Sequence, residues 1–202
     1  MYSQAWQDKF VDLVLDKPSS GFYVDVGAGY DLEVDGKINS NSLMFEQRGW
    51  KGICVDADLH RMKNRNCCVV AALIGSGADE TTDLGDLLQS QKCPQMVDYL
   101  SIDIEGADIL ALKSFLDHGY TAKVITIEHN LYTQNPGVEE DKRQIFDLLT
   151  RSGYVRVVDN VGHLADCANL HAGGAFEDWY IHTRSVSYQD TMKKLKALHE
   201  NR

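Results

Sequence analysis

The stretch FYVDVGAG at residues 22–29 constrains this chain more than any other. Phe22, Tyr23, Val24 and Val26 are aromatic or β-branched, so they read as a short buried strand that carries Asp25 to its end. Gly27 and Gly29 then let the backbone turn and pass close to a bound molecule. Apolar runs alternate with helical patterns along the rest of the chain. That alternation predicts an α/β fold around a mostly parallel sheet.

Helices are predicted over 5–17, 42–48, 83–91, 107–117, 138–151 and 188–200. Strands are predicted over 22–26, 52–56, 67–72, 97–104, 123–128, 154–158 and 179–183. Two long stretches, 29–41 and 159–178, are left irregular. Both follow the carboxyl ends of strands, where open α/β sheets bind ligands. No repeat or linker divides the chain, so residues 1–202 are expected to form one domain.

With 44% hydrophobic and 25% charged residues, the composition is that of a folded, soluble protein. Thirty acids against 20 Lys and Arg leave a formal charge of −10, which argues against a nucleic-acid or anionic-membrane partner. No run approaches the ~20 apolar residues of a membrane span, and the opening MYSQAWQDKF lacks the apolar core of a signal peptide. The expected location is the cytoplasm. Five cysteines, an odd number with no zinc-ligand spacing, fit buried or half-buried thiols in a reducing compartment.

A dinucleotide fingerprint would place a third glycine three residues after Gly29, where this chain has Leu32. A nicotinamide-dependent oxidoreductase is therefore disfavoured. Asp56 ends the next strand and stands where an acid accepts hydrogen bonds from a ribose diol. A first-strand Asp-x-Gly-x-Gly with an acid ending the second strand is the layout of class I methyltransferases, which bind S-adenosylmethionine.

The segment NSNSLMFEQRGWKGICVD at 39–56 resembles the FkbM family of methyltransferases. In that family a Ser/Asn-rich segment opens the helix after the glycine turn, and Gly-Trp-x-Gly leads into the second strand. Three further segments agree and fall in the family's order: YSQAWQD at 2–8, YLSIDIEGAD at 99–108 and EDWYI at 177–181. The chain departs from the pattern at Asp56-Ala57-Asp58, where many members have Glu-Pro. It departs again in the short stretch between Ala72 and Val97, where members usually carry a longer insertion.

The resemblance implies a Rossmann-like class I methyltransferase fold, three layers α/β/α around a seven-stranded sheet with its seventh strand antiparallel. It implies S-adenosylmethionine as cofactor and S-adenosylhomocysteine as its product. Asp25, Gly27 and Gly29 would line the methionine end, with Asn41 close by, Asp56 on the ribose and Ala71 near the adenine. Gln4 and Gln7 would fold over the cofactor.

Methyl transfer to a hydroxyl needs the acceptor aligned in a dry site and one proton removed. The strand ends Asp103-Ile104-Glu105 and Glu128-His129-Asn130 are predicted to converge there, with Asp103 and Glu105 pointing to one side. His129 is the expected general base, because imidazole titrates near neutral pH. Asp103 would orient cofactor or substrate, and Glu105 would support His129. Asp103, Glu105, Glu128 and His129 together suggest a rival role as ligands of Mg²⁺ or Mn²⁺, but their order matches no metal motif and no metal is assigned. In the 159–178 loop, His163 and His171 beside Trp179 offer a cover for a glycan, unless Trp179 packs into the core.

The resulting expectation is an O-methyltransferase acting on a sugar or glycan hydroxyl, fused to or working with glycosyltransferases. Two alternatives remain: methylation of a polyketide-type product, and a non-catalytic S-adenosylmethionine-binding partner subunit. The short stretch between Ala72 and Val97 further predicts an open acceptor groove.

Overall fold

The computed structural model describes residues 2–34, 37–63, 65–78 and 80–200. Seven strands form one sheet: β1 (Phe22–Val26), β4 (Lys51–Asp56), β5 (Cys68–Ala71), β6 (Met96–Ile102), β7 (Thr121–Glu128), β8 (Tyr154–Gly162) and β9 (Ala175–His182). Their order is β5-β4-β1-β6-β7-β9-β8. The first five are mutually parallel, and β9 runs antiparallel to both β7 and β8. From β1 the chain builds outward through β4 to β5, then crosses back to place β6 on the other side of β1. This reversal is a topological switch point, and it opens a crevice at the carboxyl ends of β1 and β6.

Helices α1 (Gln7–Leu15), α2 (Leu43–Gln47) and α6 (Tyr188–Glu200) cover one face; α3 (Leu84–Ser90), α4 (Asp108–Asp117) and α5 (Val138–Arg151) cover the other. Strand alternation sorts the side chains between two cores. Val24, Val26, Ile53, Val55, Leu100 and Ile127 pack beneath α3, α4 and α5. Tyr23, Cys54, Tyr99, Val124 and Trp179 pack beneath α1, α2 and α6. The alternation matters for function because Asp25 and Ser101 share the α1 side with Tyr23 and Tyr99.

Both stretches expected to be irregular contain strands. Tyr30–Val34 (β2) pairs antiparallel with Lys37–Asn39 (β3) in a small separate sheet. Asp35 and Gly36, which fall in the same stretch, lie outside the described residues. β8 continues to Gly162 and β9 starts at Ala175, four residues either side of the expected ends. Their register shifts repeatedly between Arg156 and Gly162, which blurs the period-two pattern that marks a strand in sequence. Trp179 is fully buried and stacks on Phe10 at 4.4 Å, so it belongs to the core and covers no ligand. No helix among the described residues is long and apolar enough to cross a membrane.

Candidate functional site

A groove of about 470 Å³ opens at the switch point, lined by Gly27, Asp56, Ala72, Ile74, Asp103 and Glu105 among others. Gly27 makes it possible. Its φ is +77°, and an added Cβ would lie 1.7 Å from the Asp103 carbonyl oxygen, so only glycine lets the β1 turn touch the end of β6. Gly29 is equally confined, its φ +67° and its Cβ position 2.5 Å from the Asn39 carbonyl. Asp56 is half-buried at the end of β4 and accepts from the Asp58 amide at 2.8 Å, with the Gly29 amide 3.4 Å away. Ala71, expected near an adenine, pairs in register with Asp56 but is exposed. Its neighbour Ala72 lines the groove instead.

Beside the groove, four adjacent strands deliver acids or hydroxyls to the α1 face. Asp25 is in register with Ser101, Ser101 with Thr126, and Glu128 with Glu177. Asp25, Glu128 and Glu177 are all buried. Asp103 follows β6 into the same region. Burial first, then the charges of Asp108, Glu105 and Asp25, push its carboxyl up to about 7, against an opposing hydrogen bond with Glu128. Burial and the charge of Asp103 push Glu128 up to about 10. Burial likewise lifts Glu177 to about 8, although Trp179 Nε1 donates to it at 2.5 Å. At neutral pH the Asp103–Glu128 pair therefore holds a shared proton.

Several buried polar atoms here meet no hydrogen-bond partner. They are Asp25 Oδ1, Asn41 Oδ1 and Gln7 Nε2. Asp25 Oδ2 accepts from Ser42 Oγ at 2.5 Å, and Asn41 Nδ2 donates to Ser101 Oγ at 2.9 Å, so each side chain is anchored by one end only. Gln7 accepts from the Ala5 amide at 2.7 Å, and its nitrogen lies close enough to lower the Glu177 pKa. Gln4, by contrast, is exposed. Buried polar atoms left open in this way cost free energy unless a ligand completes them.

His129 meets these acids only at the strand end, where it lines one cavity with Glu105 and Glu128. β7 ends at Glu128, so the next side chain faces the opposite side of the sheet. His129 Nε2 lies 3.2 Å from Asp178 Oδ1, and Nδ1 accepts from the Leu131 amide at 3.2 Å. Both nitrogens are engaged, so the general-base role expected of the ring requires the Leu131 amide to release Nδ1. Glu105, expected to support the ring, accepts instead from Asn130 Nδ2 at 3.1 Å. Asp178 additionally takes Arg156 Nη1 at 2.8 Å and the Asn160 amide at 2.8 Å. Burial alone would raise its pKa, but the hydrogen bond and charge of His129 and the contacts with Asn160 and Arg156 hold it well below the carboxylate range.

The convergence of Asp103 and Glu105 also arises differently from the expected alternation along a strand. β6 stops at Ile102, and the chain turns through left-handed Glu105 (φ 56°) and Gly106 (φ 113°). The turn brings carboxylate oxygens of Asp103, Glu105 and Glu128 within 4.8 Å of one another, a grouping able to hold a hard divalent cation. Glu105 also borders a second cavity of about 240 Å³, lined by Asp108, Glu128, Asn130, Thr133, Asn135 and Asp141 among others. His163 and His171 lie away from both cavities, held by the Gly174 backbone and the Asn160 carbonyl respectively. The sequence reading missed Glu177 and Ser101 as groove-side residues, although their parity with Trp179 and Tyr99 carries that information.

No family model matches this chain, and no curated protein matches it. Among solved structures, "Putative hemolysin from Streptococcus thermophilus" aligns over 93% of this chain and 72% of its own, at 12% identity and a TM-score of 0.44. A likeness that distant carries no argument about function.

Proposed function

We propose that this chain is an S-adenosylmethionine-dependent O-methyltransferase of the FkbM type, acting on a hydroxyl of a sugar or glycan. The observation that carries this reading is electrostatic. The groove at the switch point reaches Asp103, beside which lie the buried carboxyls Asp25, Glu128 and Glu177, and burial first of all raises the pKa of each. Such a region favours a ligand bearing a sulfonium and an ammonium, and repels the pyrophosphate of a dinucleotide. The open acceptors Asp25 Oδ1 and Asn41 Oδ1 suit the ammonium. Asp56 stands at the end of β4 for the ribose, and Ala72 and Ile74 give the groove an apolar wall for the base.

The cofactor supplies a methyl group already activated by the sulfonium. The chain must then place a hydroxyl and accept its proton. The Asp103–Glu128 pair fits that task, since burial and neighbouring acids raise the Asp103 carboxyl toward the neutral range where a proton acceptor works best. The neighbouring cavity fits a polyol. Its lining carries carboxylates, amides and the hydroxyl of Thr133, which bond hydroxyls as donors or acceptors and disfavour phosphorylated acceptors. A polyketide hydroxyl would use the same proton acceptor, and a larger apolar cavity would be needed to hold its ring.

Calorimetric titration with S-adenosylhomocysteine and with NAD tests the cofactor, and a labelled methyl donor with a panel of neutral, phosphorylated and macrolide acceptors tests the reaction. We expect S-adenosylhomocysteine to bind, NAD not to bind, and label to enter a neutral sugar. Binding without any labelled product across the panel would favour the partner-subunit reading instead.

A further inference from the structure

We infer that Cys54 and Cys67 form an oxidisable dithiol whose bridging loosens the anchor of Asp25; only the consequence for ligand binding rests on the function proposed above. Their Sγ atoms lie 3.4 Å apart, although 13 positions separate them in sequence. Cys54 sits in β4 in direct register with Asp25, fully buried on the α1 face. Cys67 precedes β5 and is half-buried, so a small oxidant can reach it. Cys68, its neighbour, is exposed and lies on the other side of the strand, 3.3 Å from Gln91.

The pair is held by a buried arginine. Arg65 Nη2 lies 2.9 Å from Cys54 Sγ and donates to Ser42 Oγ at 2.6 Å and Tyr23 OH at 3.1 Å. Nη1 donates to Ser40 Oγ at 2.9 Å, and Nε pairs with Glu46 at 2.9 Å. A guanidinium beside two touching thiols favours a thiolate. The contact with Cys54, then Tyr23 and Arg65, lower the Cys67 pKa, whereas that contact and burial raise the Cys54 pKa. Cys67, the accessible one of the pair, is the attacking sulfur, and fully buried Cys54 is the resolving one.

With a hydroperoxide as oxidant, the Cys67 thiolate attacks the peroxide oxygen. The O–O bond breaks, leaving a sulfenic acid on Cys67 and releasing water from hydrogen peroxide after protonation. Cys54 sulfur then attacks the sulfenic sulfur, the S–S bond forms, and the hydroxyl leaves as a second water with the Cys54 proton. Two thiols lose two electrons, and one peroxide gains them. Closing the bond draws the sulfurs from 3.4 Å to about 2.05 Å. Arg65 Nη2 holds both Cys54 and Ser42, and Ser42 donates to Asp25 at 2.5 Å, so moving Cys54 disturbs the side of Asp25 opposite its open oxygen.

The test treats the purified chain with hydrogen peroxide, alkylates the remaining thiols, and maps peptides with and without dithiothreitol. We expect a reversible Cys54–Cys67 cross-link that Cys67→Ala abolishes, and faster amide exchange over residues 25–29 in the bridged form. S-adenosylhomocysteine should bind the bridged form about tenfold or more weakly than the reduced form, with Cys67→Ala insensitive to peroxide. A Cys54 that stays alkylatable after oxidation, or a link to Cys68, would overturn the dithiol. Unchanged exchange over 25–29 in fully bridged protein would overturn the link to Asp25. If the reduced chain binds no S-adenosylhomocysteine, the proposed function fails, while the peptide map and the exchange still decide this inference.

Discussion

Buried carboxyls stand at strand ends on both faces of the sheet, and the two faces treat them in opposite ways. Under α5, Asp178 is surrounded by donors: His129, Arg156, the Asn160 amide and, at 3.6 Å, Lys142. Its charge is compensated inside the protein, and its pKa falls. Under α1, burial first and neighbouring acids second push Asp103, Glu128 and Glu177 up to about 7, 10 and 8. Folding bears an uncompensated electrostatic cost there. A carboxyl whose partners are all protein groups is part of the scaffold, whereas a cluster that lacks counter-charges marks a place where something else supplies them.

The sharpest way to break this comparison is to neutralise one acid on each face. Asp103→Asn should lower methyl transfer by ~10²–10⁴-fold while leaving the melting temperature near that of the parent chain. Equal activity would remove Asp103 from the chemistry. Asp178→Asn should do the reverse. Losing the charge that satisfies His129 and Arg156 should cost about 3 kcal/mol, a fall in melting temperature of roughly 6–12 °C, with turnover per folded molecule retained. Because the folded pKa of Asp178 is depressed, its contribution exists above the unfolded value near 4 and is lost as pH falls through that region. The penalty of the substitution should therefore shrink in acid, and a constant penalty would contradict the pairing.

Glu177 gives the opposite pH signature. Its folded pKa is raised to about 8, so the stability of the neutral form is complete below about pH 4.5 and drains away as pH climbs toward 8. Denaturation of Glu177→Gln should show a gain over the parent chain on the order of 2 kcal/mol at pH 8, and almost none at pH 4. A flat difference would mean that Glu177 is already compensated. The smallest expected effect is at the groove itself. Asp56→Asn should weaken S-adenosylhomocysteine by roughly tenfold, about 1.4 kcal/mol, through one weakened ribose contact, measured by calorimetry.

Much of this architecture was legible in the residues. The strand 22–26 is β1 to the residue, the final helix runs from 188 to 200 as its spacing predicts, and the glycine turn leads into a groove edged by Asp56. The differences share a physical origin. The sequence brings Glu128 and His129 to one strand end, where both line one cavity, but neighbours in a strand face opposite sides and so take different partners. The β8–β9 pair runs longer than the sequence predicts because bulges interrupt its alternation. Asp103 and Glu105 do meet, but through a left-handed turn that no periodicity announces.

What the sequence determined by itself was local and repetitive: which segments are strands, which are helices, and where the chain needs glycine. These follow from the period of apolar residues and from steric limits on the backbone, both properties of a few neighbouring positions. The tertiary structure alone decided which charges meet. Asp25, Ser101, Glu128 and Glu177 span more than 150 positions, and only strand order and register bring them to one face. The same folding set His129 against Asp178, which Arg156 and the Asn160 amide also reach. The state of an ionisable group depends on burial and on charges a few ångströms away, and those distances exist only once the sheet has formed.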